Sequence, residues 1–160
     1  MVDGKKDVLL DQLAACQNDP SWFPTIEEAL AGLTAEQAAW SENEATSIWQ
    51  IVHHLTFWNY RWLRRFKEGK DAFDKVDNEM TFSVSGTEIT EDEWQLTVDK
   101  LNRSFADWRE TLAACDESKL DEPIPTFAPE ARWWGAISNL CTHNAYHIGQ
   151  IVLMKKRLPM

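Results

Sequence analysis

The sequence predicts an all-α fold, a four-helix bundle with extra short helices, on three observations. Apolar residues recur at helical spacing over four long stretches. Only six glycines and six prolines interrupt 160 residues, which favours long elements over a turn-rich β architecture. A chain of this length fits one domain, residues 1–160, and buries roughly 68–70% of the surface its unfolded form exposes, enough for an independent core.

In the first helix Val8, Leu9, Leu13 and Cys16 share a face, and Asp19-Pro20 ends it. Thr25 with Glu28 has the spacing of a capping box and opens a short helix through Ile26, Ala29 and Leu30 that stops near Gly32. Thr34-Ala-Glu-Gln-Ala reads as one further turn before Trp40. Thr46 or Ser47 caps the second long helix, which carries Ile48, Ile51, Val52, Leu55, Trp62 and Phe66 on its apolar stripe and ends at Gly69. Periodicity dissolves from Lys70 to Ile89; a connection of this length is functional or mobile more often than a short one and can cover one end of the bundle. Thr87 or Thr90 opens the third long helix, where Glu91, Asp92 and Glu93 meet the positive end of the helix dipole. Its stripe is Trp94, Val98, Leu101, Phe105, Trp108 and Leu112. Pro123, Pro125 and Pro129 exclude helix from a second irregular stretch, Asp116 to Pro129. The last helix is expected from near Glu130 to about Leu158, with Trp133, Trp134, Ile137, Leu140, Cys141, Ile148, Ile151 and Val152 on its apolar side. Four amphipathic helices of about 15 residues or more imply the bundle. The long connections after the second and third of them allow crossovers.

Composition narrows the partners. The net charge of −10 opposes the phosphate neutralisation on which nucleic-acid binding depends. The basic clusters Arg61, Arg64, Arg65, Lys67 and Lys155, Lys156, Arg157 sit near helix ends, where the dipole favours cations. No nucleic-acid partner is expected. Cys16, Cys115 and Cys141 form neither a disulfide framework nor a thiolate zinc pattern. With no apolar leader and no run of 18 apolar residues, the expected location is cytoplasmic and no membrane partner is expected. Nine tryptophans are many, and their N–H groups need partners or a wet edge, so some are expected to line a cleft.

The four histidines all fall mid-helix: His53 and His54 in the second long helix, His143 and His147 in the last. A separation of four puts the imidazoles of His143 and His147 on one face, a turn apart, where both can bind one ion. At about 100° per residue both flank the apolar stripe of their helix. In the second long helix His54 borders the stripe, whereas His53 points almost directly away from it. His54 is therefore the better third ligand, and His53 a solvent-side or supporting residue. Three neutral imidazoles suit zinc, nickel, iron or copper over magnesium or calcium. They also leave a position for water or substrate, so that a bound water or thiol can serve as nucleophile at neutral pH. A purely structural role, with the histidines merely hydrogen-bonded, is the competing reading of the same residues.

Three stretches resemble the DinB/YfiT-like superfamily. Ser47-Ile-Trp-Gln-Ile-Val-His-His-Leu-Thr-Phe-Trp-Asn is similar to its second-helix signature. His143-Asn-Ala-Tyr-His-Ile-Gly-Gln-Ile-Val is similar to its last-helix motif, and the run from Trp22 to Trp40 also resembles DinB-like proteins. The resemblance implies a four-helix bundle, commonly a homodimer, holding one divalent transition metal ion (zinc, nickel or iron) on His54, His143 and His147. It further implies a small-molecule substrate and a metal-dependent enzyme, a thiol S-transferase using a low-molecular-weight thiol, with a metal-dependent hydrolase or a non-catalytic metal-binding stress protein as alternatives. Around the motif, Gln150 can orient a ligand, Asn144 is expected in a buried polar contact, and Gly149 is expected at a close helix approach. Cys141 reads as core, and Trp58, Arg61 and Tyr146 as candidate pocket residues.

Overall fold

The computed structural model describes residues 4–43, 45–69 and 75–159. Among the described residues, six α-helices run in chain order: α1 (Lys5–Gln17), α2 (Ile26–Leu30), α3 (Ala35–Ala39), α4 (Ile48–Glu68), α5 (Glu91–Ala114) and α6 (Trp133–Lys155). Short 3-10 turns, Glu79–Phe82 and Glu117–Asp121, lie between α4 and α5 and between α5 and α6. The chain is all-α, and among the described residues there is no strand; an isolated bridge joins Pro123 and Arg132.

Helix starts follow the sequence chemistry. Thr25, Thr34 and Ser47 each accept from the backbone N–H three residues on, while Glu28, Gln37 and Gln50 reach back to the cap N–H, so α2, α3 and α4 all open on capping boxes. Of the candidate caps, Ser47 and Thr90 are the ones used, Thr90 accepting from Glu93. Gly69 closes α4 in the left-handed conformation, φ 61°. Three expectations are corrected. Helix α1 has 13 residues, shorter than 15, and Val8 is exposed on it because the inward face is that of Leu9, Leu13, Ala14, Cys16 and Gln17. Helix α6 starts at Trp133 rather than near Glu130, because Ile124 and Trp133 donate to Ala131 and Glu122 and hold residues 122–133 in a turned-back loop. It ends at Lys155, short of Leu158.

The four long helices form a ring in the order α1, α5, α4, α6, each packing on its two neighbours. Leu13, Ile48, Leu55, Leu101, Phe105, Trp108, Leu112, Ile137 and Ile148 fill its centre, each less than 2% exposed. Helices α1 and α4 are diagonal, so the crossover lies between them, spanned by α2 against α6 and α3 against α4 and α5. The connection after α5 also crosses the ring. That after α4 does not, despite its length, because α4 and α5 are neighbours; of it, residues 70–74 lie outside the described ones. Freed from spanning the bundle, the connection lays its 3-10 turn, Glu79–Phe82, against α4. Lys155, in the last turn of α6, donates to the carbonyls of Ala29 and Ala31 and clamps the end of α2. No helix among the described residues is long and apolar enough to cross a membrane.

Candidate metal centre

Helices α4 and α6 bring His54, His143 and His147 together. One ring nitrogen from each lies within 4.8 Å of the others, a grouping that can hold a metal ion. His54 is 2% exposed and His147 7%, while His143 is half-buried. His53 stays outside, in a groove with Lys100 and Thr97 of α5. The helical phase of His54 against His53 is thus the phase the fold adopts.

The hydrogen-bond network sets the tautomers. Thr81 donates its single hydroxyl proton to the carbonyl of Asn78, 2.6 Å away. Toward His54 it can only accept, so the Nδ1 of His54, 2.6 Å from Thr81 Oγ1, carries the proton. Nε2 of His54 is left with its lone pair, 3.0 Å from Nε2 of His143. Nδ1 of His147 lies 2.6 Å from Gln150 Oε1, and Gln150 in turn donates through Nε2 to the Tyr146 hydroxyl at 3.3 Å. With the amide oxygen accepting, His147 also keeps its Nε2 lone pair. His143 Nε2 can close this 3.0 Å contact as the donor or, with its own lone pair, across a cation, and two imidazoles on one tetrahedral zinc ion are separated by about 3.3 Å. The donor set fits a metal ion.

Burial makes the imidazoles poor bases. It lowers the pKa of His54 to about 3, with the neighbouring His147 and His143 adding to the effect. Burial and then His147 lower His143 to about 4. Burial also lowers His147, against the opposing Gln150 hydrogen bond. All three are neutral at physiological pH, the state a metal ligand requires. His53 is lowered as well, by burial and then by the Lys100 ammonium.

Sequence reasoning missed two residues of the site, both in the polar stretch after α4. Thr81 is one; the other is Phe82, whose ring stacks on the His54 imidazole at 3.9 Å between centroids and 9° between planes. The Thr-Phe pair at the 3-10 turn carries no periodic signal, and only the expectation that a long connection covers one end of the bundle points toward it.

Two clefts of about 530 Å³ each reach the cluster. One is fronted by His143 and walled by Trp58, Trp62, Phe127 and Trp134; the other is fronted by His147 and lined by Trp40, Glu42, Phe82, Tyr146, Gln150 and Arg157. Trp58 and Tyr146 therefore line pockets as expected, on different sides. Arg61 lines neither and sits 5.9 Å over the rings of Phe57 and Trp58. Asn144 is fully buried and donates to Asn59 and to the Leu140 carbonyl, as its helical phase suggests. Cys141 is core, its thiol pushed up by burial. Gly149 is a correction: a Cβ there would meet nothing within 4 Å, because α6 turns that position to solvent, so it marks no close approach.

The family model of the DinB superfamily matches residues 23–151, a span containing all three clustered histidines. Comparisons with curated proteins and with solved structures find no match. With four-fifths of the chain covered and the histidine-bearing helices inside the match, the chain belongs to the DinB superfamily.

Proposed function

We propose that the chain is a metal-dependent transferase that joins a low-molecular-weight thiol to a small-molecule electrophile, with one divalent transition metal ion held by His54, His143 and His147. The observation that carries the two-substrate reading is the pair of separate clefts, one fronted by His143 and the other by His147. A hydrolase needs one organic substrate and water; two clefts of equal volume accommodate two organic molecules. A divalent cation at the histidines would lower the pKa of a thiol or water into the neutral range.

The chain's own residues supply the rest. Thr81 and Gln150 hold the imidazoles of His54 and His147 in the tautomer that leaves Nε2 available. Phe82 covers one face of His54 and excludes water from it. In the overall reaction the thiol loses its S–H proton, sulfur forms a bond to carbon, and the leaving group departs with the electron pair and is protonated. No cysteine of the chain replaces the external thiol in this role. Cys16 and Cys141 are buried, Cys16 with its pKa raised to about 11, and Cys115 is also shifted up by burial.

The test is turnover by metal-loaded protein of a panel of alkylating electrophiles with bacillithiol, mycothiol or glutathione. The proposal predicts thioether formation that the His143→Ala/His147→Ala double variant abolishes. Ester or amide cleavage by the loaded protein, with no thioether from any thiol, would replace it with the hydrolase.

A further inference from the structure

The geometry points to a neutral, flat aromatic ring as the occupant of the cleft beside His143. This deepens the preceding reading, since it takes the histidine cluster as the reaction centre.

The cleft's walls are Trp58 and Trp62 from α4, Trp134 from α6 and Phe127 from the loop between α5 and α6. Trp62 and Phe127 already pair at 5.6 Å between centroids, and the Arg65 guanidinium stacks 5.0 Å from Trp62 and 5.5 Å from Phe127, stiffening that wall. Phe127 and Trp134 nonetheless stay 42% and 44% exposed, so the cleft presents solvent-facing aromatic surface that a bound ring would cover. Aromatic rings prefer offset-stacked or edge-to-face partners, a preference an aliphatic chain of equal area does not satisfy. The volume, about 530 Å³, falls within the range of small-ligand sites.

The polar groups argue for neutrality. Glu130 lies in the lining, and its carboxylate disfavours an anion in this cleft. Arg132, the cation in the lining, turns one guanidinium nitrogen to the carbonyls of Pro129 and Ala131. The exposed side chains of Asn78 and Asn139 line the cleft as well, suited to one hydroxyl or amide substituent on the ring. Because His143 fronts the same cleft, a ring seated there brings its edge to the histidine cluster.

The experiment measures binding of 2-naphthol, its saturated analogue decahydro-2-naphthol and anionic 2-naphthoate by calorimetry, first to metal-free protein. Naphthol is expected to bind at least tenfold more tightly than either comparison compound. Trp134→Ala and Phe127→Ala should each weaken it about tenfold, and both residues are exposed enough for the variants to fold. Trp40→Ala, in the other cleft, should leave it unchanged. Equal binding of the saturated alcohol, or naphthol binding indifferent to Trp134 and Phe127, overturns the assignment. Cobalt(II)-loaded protein should then broaden the proton signals of naphthol where zinc-loaded protein does not; cobalt retained without broadening also overturns it. If cobalt is not retained while naphthol binding to metal-free protein still follows Trp134 and Phe127, the aromatic cleft stands and the metal reading fails.

Discussion

Thr81 has one proton to give and gives it to Asn78, and that fixes which nitrogen of His54 is available. Supporting hydrogen bonds of this kind are commonly worth about 10–100-fold in metal affinity. Thr81→Val keeps the volume and removes the acceptor, so metal affinity by chelator competition should fall about tenfold or more. Gln150→Leu should act alike through His147. The depressed pKa values make a second prediction. Unfolded histidines titrate near 6.5, whereas in the fold His54 resists protonation to about 3 and His143 to about 4. The unfolded state therefore binds more protons between those values, and the metal-free fold loses stability as pH falls below about 6.5. Urea midpoints of metal-free protein should drop from pH 7 to pH 5, and His54→Phe should flatten that slope. At this scale the clustering of the histidines was legible because helical phase separates His54 from His53 by about 100°. Thr81 and Phe82 were not, because a residue in an aperiodic connection acquires its neighbours only when the chain folds back. Gly149 was misread for a related reason: crowding at a helix surface depends on the partner helix.

At the scale of elements, α4 is the keel of the site. It packs on both α5 and α6, begins on the Ser47–Gln50 box and ends on Gly69. Ser47→Ala should cost about 1 kcal/mol of unfolding free energy by denaturant titration, the usual worth of such a cap. Leu55→Ala, beside His54 and fully buried, should cost about 2–5 kcal/mol by the same measurement. The start of α2 was legible from the Thr25–Glu28 box, and those of α4 and α5 to within two candidate caps each, Thr46 or Ser47 and Thr87 or Thr90. The start of α6 was not, because Arg132 makes no side-chain cap and the preceding loop is held by backbone pairing between distant residues. The connections proved to be parts of the site. The turn after α4 supplies Thr81 and Phe82, and the loop before α6 supplies the Phe127 wall of the cleft beside His143.

Across the whole molecule, the ring order α1, α5, α4, α6 makes the two histidine-bearing helices neighbours, although residues 91–114 intervene between them in the chain. Periodicity showed that four long helices exist but not which are adjacent, since either diagonal can be closed by connections of these lengths. Because the histidines converge only in the fold, a metal ion held by them binds the native state and stabilises it. At a free metal concentration 100 times the dissociation constant the gain is about 2.7 kcal/mol, visible as a metal-dependent rise in Tm. The most direct measurement is the metal content of purified, untagged protein after loading with zinc or nickel and exhaustive dialysis, for the wild type and for His54→Ala, His143→Ala and His147→Ala. The account predicts one equivalent per chain in the wild type and a large loss in each variant, with His53→Ala unchanged. Wild-type protein that retains no metal, or variants that retain as much as the wild type, would contradict it.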